Sequence, residues 1–262
     1  MHTNIYLKEE ESEWIVFLHG MGGSSNIWFK QLRAFRQKYN VLLLDLPGHG
    51  ESLKGLRHEI NPTLEGIGVD IWEILDTHNI KNAHFIGISL GTILLRVMAS
   101  QQPLRVRSMI LGGAVEDLNL FAMLLARIGN KVKALVPYMW LYQLVAKILM
   151  PRKHHKESRT AFVLEARKLG RNEFMKWFSL YTSIVPSVKQ AKQKLSSKRI
   201  PCLYLMGSED YMFLESVKKN LDYQANEQLI VFQKCGHVIN IEKSKEFNME
   251  SIKFIEHEKN IQ

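Results

Sequence analysis

A single serine lies at the corner between a predicted strand and a predicted helix, in the stretch AHFIGISLGTILLRVMA (Ala83–Ala99). Gly87 and Gly91 flank Ser89 two positions to either side. A tight turn here strains the serine backbone, and glycines remove the side chains that would collide with the neighbouring strand and helix. The N-terminal amides of the new helix face any negative charge that forms near the hydroxyl. The pattern indicates a nucleophile, and a serine that only caps the helix is the alternative.

Two further residues could activate that hydroxyl, which needs a base to take its proton and a third group to orient the base. Asp210 follows the apolar run PCLYLMG, and His237 follows the run QLIVFQKCG. If both runs are parallel strands, their ends meet at one edge of the sheet. The order Ser89, Asp210, His237 therefore predicts a catalytic triad, and Glu209 is an alternative acid if the loop is shifted by one residue.

Cleavage of an acyl group also needs N–H donors for the oxyanion of the tetrahedral intermediate. We expect one from the backbone of Leu90, directly after the serine, and the other from Met21 in the loop HGMGGSSNIW. The side chain of Met21 is free to line an acyl pocket. This loop matches neither common nucleotide-binding glycine pattern, so nucleotide binding is not expected. His49, in the turn PGHGES, is predicted to have a loop role.

Six continuous apolar runs predict strands that are covered on both faces, as in a parallel sheet. The runs are Trp14–Gly20, Val41–Gly50, Ala83–Ser89, Arg107–Gly113, Pro201–Gly207 and Gln228–Gly236. Helix-like stretches alternate with these runs, which indicates an α/β fold with a doubly wound, mostly parallel sheet.

The alternation stops after Glu116, where helical spacing dominates as far as Lys198. Pro137, Pro151 and Pro186 are predicted breaks between helices. We therefore predict a helical cap at residues 116–199, inserted between core strands. The core is then formed by residues 1–115 and 200–262.

The formal net charge of +9 is concentrated in the predicted cap. Residues 116–199 contain 17 Lys and Arg against 5 Asp and Glu, and the rest of the chain has a small acidic excess. One interpretation is a lid whose lysines are simply solvated. Another is weak contact between the basic cap and an anionic membrane surface, and a third is recognition of an anionic group on the substrate. Nucleic-acid binding is not expected, because the cap aromatics are not interleaved with charge.

Composition bounds the remaining properties of the chain. Its 46% hydrophobic residues can fill a sizeable core, and the N-terminal stretch MHTNIYLKEEESEW lacks the pattern of a signal peptide. Cys202 and Cys235 give neither a disulfide framework nor metal-type spacing. We expect a cytoplasmic protein that needs no cofactor and no metal. The sequence does not indicate which oligomeric state the protein has.

Five motifs together resemble the α/β-hydrolase fold superfamily, in its carboxylesterase-like form with a helical cap. They are LHGMGGSSNIW, DLPGHGES, GISLG, GSEDYM and CGHVINIEKSKEFN, in the order typical of that family. The resemblance implies a Ser-His-Asp triad. It disfavours the relatives that use an aspartate nucleophile, since Ser89 occupies the elbow. Members usually have a two-strand hairpin before the HG strand, whereas few residues precede Trp14, so we expect the first strands to be short or missing.

The resemblance leaves the substrate open. We expect hydrolysis of a carboxylic ester with an apolar acyl group through an acyl-enzyme intermediate, because apolar side chains are abundant in the cap. Those singled out are Met123, Met139, Met150, Phe162 and Phe174. One alternative is cleavage of a carbon–carbon bond in a keto-acid by the same triad, with Arg127 or Arg167 holding the carboxylate. The other is a non-catalytic ligand-binding protein.

Overall fold

A seven-stranded sheet forms the centre of the molecule. The computed structural model describes residues 1–54, 63–117, 120–132, 135–222 and 226–259, so parts of the predicted core and cap lie outside the described residues. The strands are β1 (His2–Tyr6), β2 (Trp14–Leu18), β3 (Asn40–Asp45), β4 (Ala83–Ile88), β5 (Val106–Gly112), β6 (Cys202–Gly207) and β7 (Glu227–Phe232). Their order across the sheet is β1-β3-β2-β4-β5-β6-β7, and every neighbouring pair is parallel except β1 with β3.

Each of the six apolar runs overlaps one of the strands β2 to β7, so the predicted sheet is confirmed. Strands β3, β4 and β6 are buried along their whole length, which is why their sequences read as continuous apolar runs. Strand β4 occupies the middle of the sheet. Ser89 therefore follows a central strand that has neighbours on both sides.

The chain before β2 contributes a single strand rather than a hairpin. Strand β1 is five residues long and pairs antiparallel with β3 at the edge of the sheet. The expectation of short or missing first strands is met, because one short strand takes the place of the usual pair.

Helices lie between the strands and pack in two groups. They are α1 (Phe29–Phe35), α2 (Leu64–Thr77), α3 (Leu90–Gln101), α4 (Leu120–Val132), α5 (Tyr138–Leu149), α6 (Lys156–Ser179), α7 (Tyr181–Leu195), α8 (Leu214–Asn220), α9 (Ile239–Glu242) and α10 (Ser244–Lys259). Helices α1, α9 and α10 contact one another, whereas α2, α3 and α7 form the second group. This arrangement agrees with the predicted doubly wound α/β fold.

The segment predicted as a cap, residues 116–199, contains α4 to α7, between β5 and β6. Pro137 and Pro151 flank α5, as predicted. The predicted break at Pro186 is wrong, because this proline lies inside α7. A proline costs a helix one backbone hydrogen bond. Burial of Ser187, Val188 and Ala191 on the same helix, which packs against α3, holds α7 together despite that loss.

Candidate active site

The turn at Ser89 is strained and has room only for glycines beside it. Ser89 has φ 53° and ψ −119° between β4 and α3, a conformation that side-chain-bearing residues rarely adopt. A Cβ on Gly91 would lie 2.3 Å from the carbonyl oxygen of Leu18, and a Cβ on Gly87 would lie 2.8 Å from the backbone of Gly91. The Ser89 N–H donates to the carbonyl of Gly112 at 2.9 Å. Strand β5 thus helps to hold the turn in place.

The structure brings Ser89, His237 and Asp210 together in one hydrogen-bonded row. His237 Nε2 lies 2.9 Å from Ser89 Oγ, and His237 Nδ1 lies 2.7 Å from Asp210 Oδ2. Asp210 accepts only hydrogen bonds when ionised, so the proton of the neutral imidazole lies on Nδ1 and Nε2 is left to accept the serine proton. The side chains of His237 and Asp210 are almost completely buried. Gly113, with φ 51°, leaves room for His237, since a Cβ there would lie 2.6 Å from the histidine carbonyl oxygen.

The neighbouring carboxylate, Glu209, has different partners. Its Oε2 lies 2.7 Å from Nε2 of His154 and 2.8 Å from Nε2 of His155, both of which belong to the cap segment. Burial by itself raises the pKa of Glu209, but the hydrogen bond and charge of His154, together with those of His155, outweigh it and hold the pKa below its ordinary value. Asp210, not Glu209, therefore faces His237, and Glu209 links the segment predicted as a cap to the loop that carries Asp210.

Among the residues that the structure describes, these two histidines and Glu209 form a group that could hold a metal ion, since their ligand atoms lie within 4.8 Å of one another. The backbone N–H of Arg152 donates to Nδ1 of His155 at 3.2 Å. The neutral ring therefore carries its proton on Nε2, the atom that would have to be unprotonated to bind the metal. This hydrogen bond favours a polar cluster of His154, His155 and Glu209 over a metal centre.

The loop predicted to supply an oxyanion donor lies against the serine. A Cβ on Gly20 would approach the Ser89 Cβ to 3.1 Å, and Met21 lines the same small cavity as the Ser89 side chain. Leu90 is the first residue of α3. Tyr142 of α5 donates its hydroxyl proton to the carbonyl of Met21 at 2.6 Å. Both predicted donor residues are thus next to Ser89, and a cap side chain fixes one of them.

Two buried histidines that flank the loop hold its backbone. Nε2 of His49 accepts the N–H of Gly22 at 2.9 Å, and Nε2 of His19 accepts the N–H of Leu46 at 3.0 Å. Their Nδ1 atoms carry the protons and donate to the carbonyls of Pro47 and Gly20. Burial lowers the pKa of both rings, and the proximity of His19 lowers the pKa of His49 further. Both histidines are therefore neutral, and the loop role predicted for His49 is to anchor the Gly22 amide.

A small cavity next to Ser89 has a volume of about 30 Å³. Its lining residues are Gly20, Met21, Gly23, Ile27, Ile88, Ser89, Phe162, Glu165, His237, Val238 and Ile241. Of the five cap residues expected to shape an apolar pocket, Phe162 is in this lining, whereas Phe174 packs with Tyr142 and Met150 lies in the core. The wall is mostly apolar, with one carboxylate in it.

That carboxylate, Glu165 of α6, had no signal in the sequence. Its Oε2 accepts a hydrogen bond from Ser24 Oγ at 2.7 Å, and its Oε1 accepts one from Lys168 Nζ at 2.6 Å. Trp177, also of α6, donates its Nε1 proton to the carbonyl of Pro47 at 3.0 Å. The contacts with Ser24 and Pro47 join residues more than 100 positions apart, so neither local pattern nor spacing could have revealed them.

The Gly22 amide provides a test of how the loop is held. Replacing His49 with leucine removes the acceptor, and we expect hydrogen exchange of the Gly22 amide to accelerate by about 5- to 100-fold, the worth of one buried hydrogen bond. His49→Gln keeps an acceptor oxygen and should restore part of the protection. Amide exchange resolved by nuclear magnetic resonance measures the effect.

The Ser89 amide, which bonds to Gly112, is the internal control, because its protection should not change in either variant. Equal protection of Gly22 in wild type and His49→Leu would show that His49 does not hold the loop.

Comparison with known proteins supports the fold. A family model described as the alpha/beta hydrolase fold matches residues 13–244. The chain is similar to 3-oxoadipate enol-lactonase 1 of Acinetobacter baylyi, at 38% identity over 84 residues, which are 31% of this chain and 29% of the relative. It is also similar to a 2-hydroxy-6-oxononadienedioate/2-hydroxy-6-oxononatrienedioate hydrolase of Burkholderia vietnamiensis, at 27% identity over 93% of this chain and 87% of the relative. The chain spans less than two thirds of the length of the first curated relatives it matches, between 29% and 63%.

A solved structure from work on carboxylesterases of the thaumarchaeon Nitrososphaera gargenis superposes with a TM-score of 0.82. It is 18% identical in sequence, and the match covers 100% of this chain and 96% of the other. At that identity the likeness concerns the fold. Together with the family model, which covers most of the chain, it establishes that the protein belongs to the α/β hydrolase fold family.

Proposed function

We propose that this hydrolase cleaves carboxylic esters with Ser89 as the nucleophile, through an acyl-enzyme intermediate. The observation that carries the proposal is the row from Ser89 Oγ to His237 Nε2 and from His237 Nδ1 to Asp210, with both spacings under 3 Å. Such a row supplies what a serine needs to attack a carbonyl carbon, namely a base within reach and a carboxylate that fixes the tautomer of the base.

In the first half-reaction, Ser89 Oγ bonds to the ester carbonyl carbon while its proton passes to His237 Nε2. The amides of Met21 and Leu90 are proposed to hold the resulting oxyanion. The intermediate collapses, the bond to the alcohol oxygen breaks, and His237 gives its proton to the departing alcohol. In the second half-reaction His237 takes a proton from water, whose oxygen attacks the acyl carbon, and then returns a proton to Ser89 as the acid leaves. Asp210 keeps the imidazole oriented and stabilises its charged form.

The composition of the cavity wall supports a substrate whose acyl group is apolar and uncharged. Apart from Glu165 and His237, its lining consists of glycines, Ser89 and apolar side chains. A volume of about 30 Å³ holds about two water molecules, far less than the ~300 Å³ or more of typical ligand pockets. Substrate binding therefore requires the cap side chains, Phe162 among them, to move aside.

The carbon–carbon cleavage alternative needs a cation for a keto-acid carboxylate, and the described lining gives it little support. Neither Lys nor Arg is among the lining residues. Arg127 and Arg167, the candidates from the sequence, are exposed and lie outside this lining. Glu165 adds a negative charge.

A cytoplasmic location remains a prediction.

A fluorophosphonate probe tests whether Ser89 is a nucleophile. We expect the wild type to be labelled and Ser89→Ala not to be labelled. Asp210→Asn should react about 10³-fold or more slowly, because the imidazole loses its orienting carboxylate. Glu215→Gln is the control, since Glu215 is an exposed carboxylate that pairs with Lys218, and this variant should stay within about threefold of the wild type.

Circular dichroism on each variant confirms that it is folded. An unlabelled wild type would support the ligand-binding alternative, and labelling that survives in Ser89→Ala would place the nucleophile elsewhere.

A pair of substrates tests the role of Glu165. Para-nitrophenyl butyrate and mono-para-nitrophenyl succinate have acyl groups of the same carbon count, but the succinate carries a carboxylate. Because like charges a few ångströms apart repel strongly in a partly dry site, we expect kcat/KM to favour butyrate by about 100-fold. Glu165→Gln keeps an acceptor for Ser24 but loses the charge, and should raise succinate hydrolysis about tenfold while leaving butyrate nearly unchanged.

Glu157→Gln is the matched control, since Glu157 is an exposed carboxylate on the same helix that pairs with Lys30. Rates should also rise from acetate to butyrate to hexanoate. Equal use of butyrate and succinate by the wild type, or a flat response to chain length, would contradict the assignment of a neutral, apolar acyl group.

A further inference from the structure

Two cap helices expose large apolar side chains to solvent. On α4, Leu124 and Ile128 are 55% and 49% exposed, and on α5, Trp140 and Leu144 are 68% and 48% exposed. Leu135, between the two helices, is 84% exposed. Large apolar side chains exposed one turn apart on each of two successive helices favour a surface that meets a partner, unlike scattered single residues.

The two helices share one spacing of apolar and polar residues. On α4 the apolar residues are Leu124 and Ile128, and the cationic residues Arg127 and Lys131 lie three and seven positions after Leu124. On α5 the pair Trp140 and Leu144 is followed in the same way by Gln143 and Lys147. At 3.6 residues per turn, the four positions fall within a sector of about 100° on each helix. Apolar and cationic side chains therefore share one exposed face of each helix.

The cations on these faces are available to a partner. Arg127, Lys131 and Lys147 are exposed, and within the part of the chain that the structure describes none of them pairs with a carboxylate. Other cap lysines do have such partners, for example Lys168 with Glu165 and Lys176 with Glu173. The faces of α4 and α5 thus carry positive charge that nothing in the described molecule neutralises.

We propose that the exposed faces of α4 and α5 bind the surface of an anionic lipid bilayer. Apolar side chains can enter the boundary between headgroups and acyl chains while the neighbouring lysines and arginine meet the negative headgroups. Tryptophan, as at position 140, is the aromatic residue typical of that boundary. Among the described helices, none combines the length and apolar composition that crossing a bilayer requires, so the contact lies along the surface.

Charge complementarity favours a bilayer over a second copy of the chain. A symmetric dimer through these faces would bring Arg127, Lys131 and Lys147 of two copies together, and like charges repel. An anionic surface neutralises the same residues. The contact is separate from the reaction at Ser89, because none of the five exposed apolar residues is in the cavity lining.

Vesicle sedimentation tests the proposal on the full chain. We expect binding to vesicles of phosphatidylcholine with roughly 30% phosphatidylserine, weakening at high salt, and about tenfold or more weaker binding to phosphatidylcholine alone. Trp140 should report the contact by a blue shift of tryptophan emission, because Trp28, Trp72 and Trp177 are buried and Trp14 is half-buried. The shift should be lost in Trp140→Phe.

Matched variants separate charge from apolar contact. Lys131→Glu with Lys147→Glu should reduce anionic-vesicle binding about tenfold or more, whereas Lys245→Glu with Lys253→Glu, exposed positions on α10, should change it little. Trp140→Ser with Leu144→Ser should weaken binding to both types of vesicle. Unchanged labelling of Ser89 by the fluorophosphonate shows that each variant is folded.

The proposal is overturned if the protein binds neutral and anionic vesicles equally, or binds neither. It is also overturned if the α10 control variant loses as much vesicle binding as Lys131→Glu with Lys147→Glu. A dimer, detected by light scattering, that Trp140→Ser dissociates would overturn it too, because the faces would then serve a second copy of the chain.

Discussion

The position of one strained residue is the constraint on which the rest of the site depends. Ser89 holds φ 53° and ψ −119° at the end of a central strand, a conformation that costs on the order of 1–3 kcal/mol. The cost is sustained because β4 and α3 are packed on both sides and cannot relax without pulling buried residues into water. Gly91 touches the backbone of Leu18 where any side chain would collide. The fold therefore fixes the hydroxyl before any partner side chain is considered.

The site uses burial to give histidines two different tasks. His19 and His49 are buried beside backbone amides and carbonyls, so they are neutral and act as fixed hydrogen-bonding groups for the loop at Gly20–Gly23. His237 is just as buried but has Asp210 at Nδ1. A carboxylate there allows the ring to accept a proton from Ser89 without leaving an uncompensated charge in a region of low dielectric constant. The same type of side chain is thus a support in one place and the proposed base in the other, according to its partner.

The sequence predicted the candidate site best where its residues come directly after the ends of strands. Ser89, Asp210 and His237 each follow a predicted strand, and the carboxyl ends of parallel strands must meet, so their proximity could be expected from order alone. The choice between Asp210 and Glu209 required side-chain direction, which no spacing rule gives. Pro186 was misread as a break because local propensity ignores the packing of α7 on α3. Glu165 and Tyr142 escaped prediction because their contacts depend on how cap and core meet.

In the proposed reaction, Ser89 becomes covalently acylated during turnover. Rapid mixing of the protein with excess para-nitrophenyl butyrate, followed by acid quenching, intact mass measurement and peptide mapping, tests it directly. We expect a transient butyryl group on the peptide that contains Ser89, together with early release of one equivalent of para-nitrophenolate per active site. The proposed acylation of Ser89 is contradicted if the ester is turned over but no butyryl group appears on that peptide at any time. The same quench must trap intermediates on a control serine hydrolase.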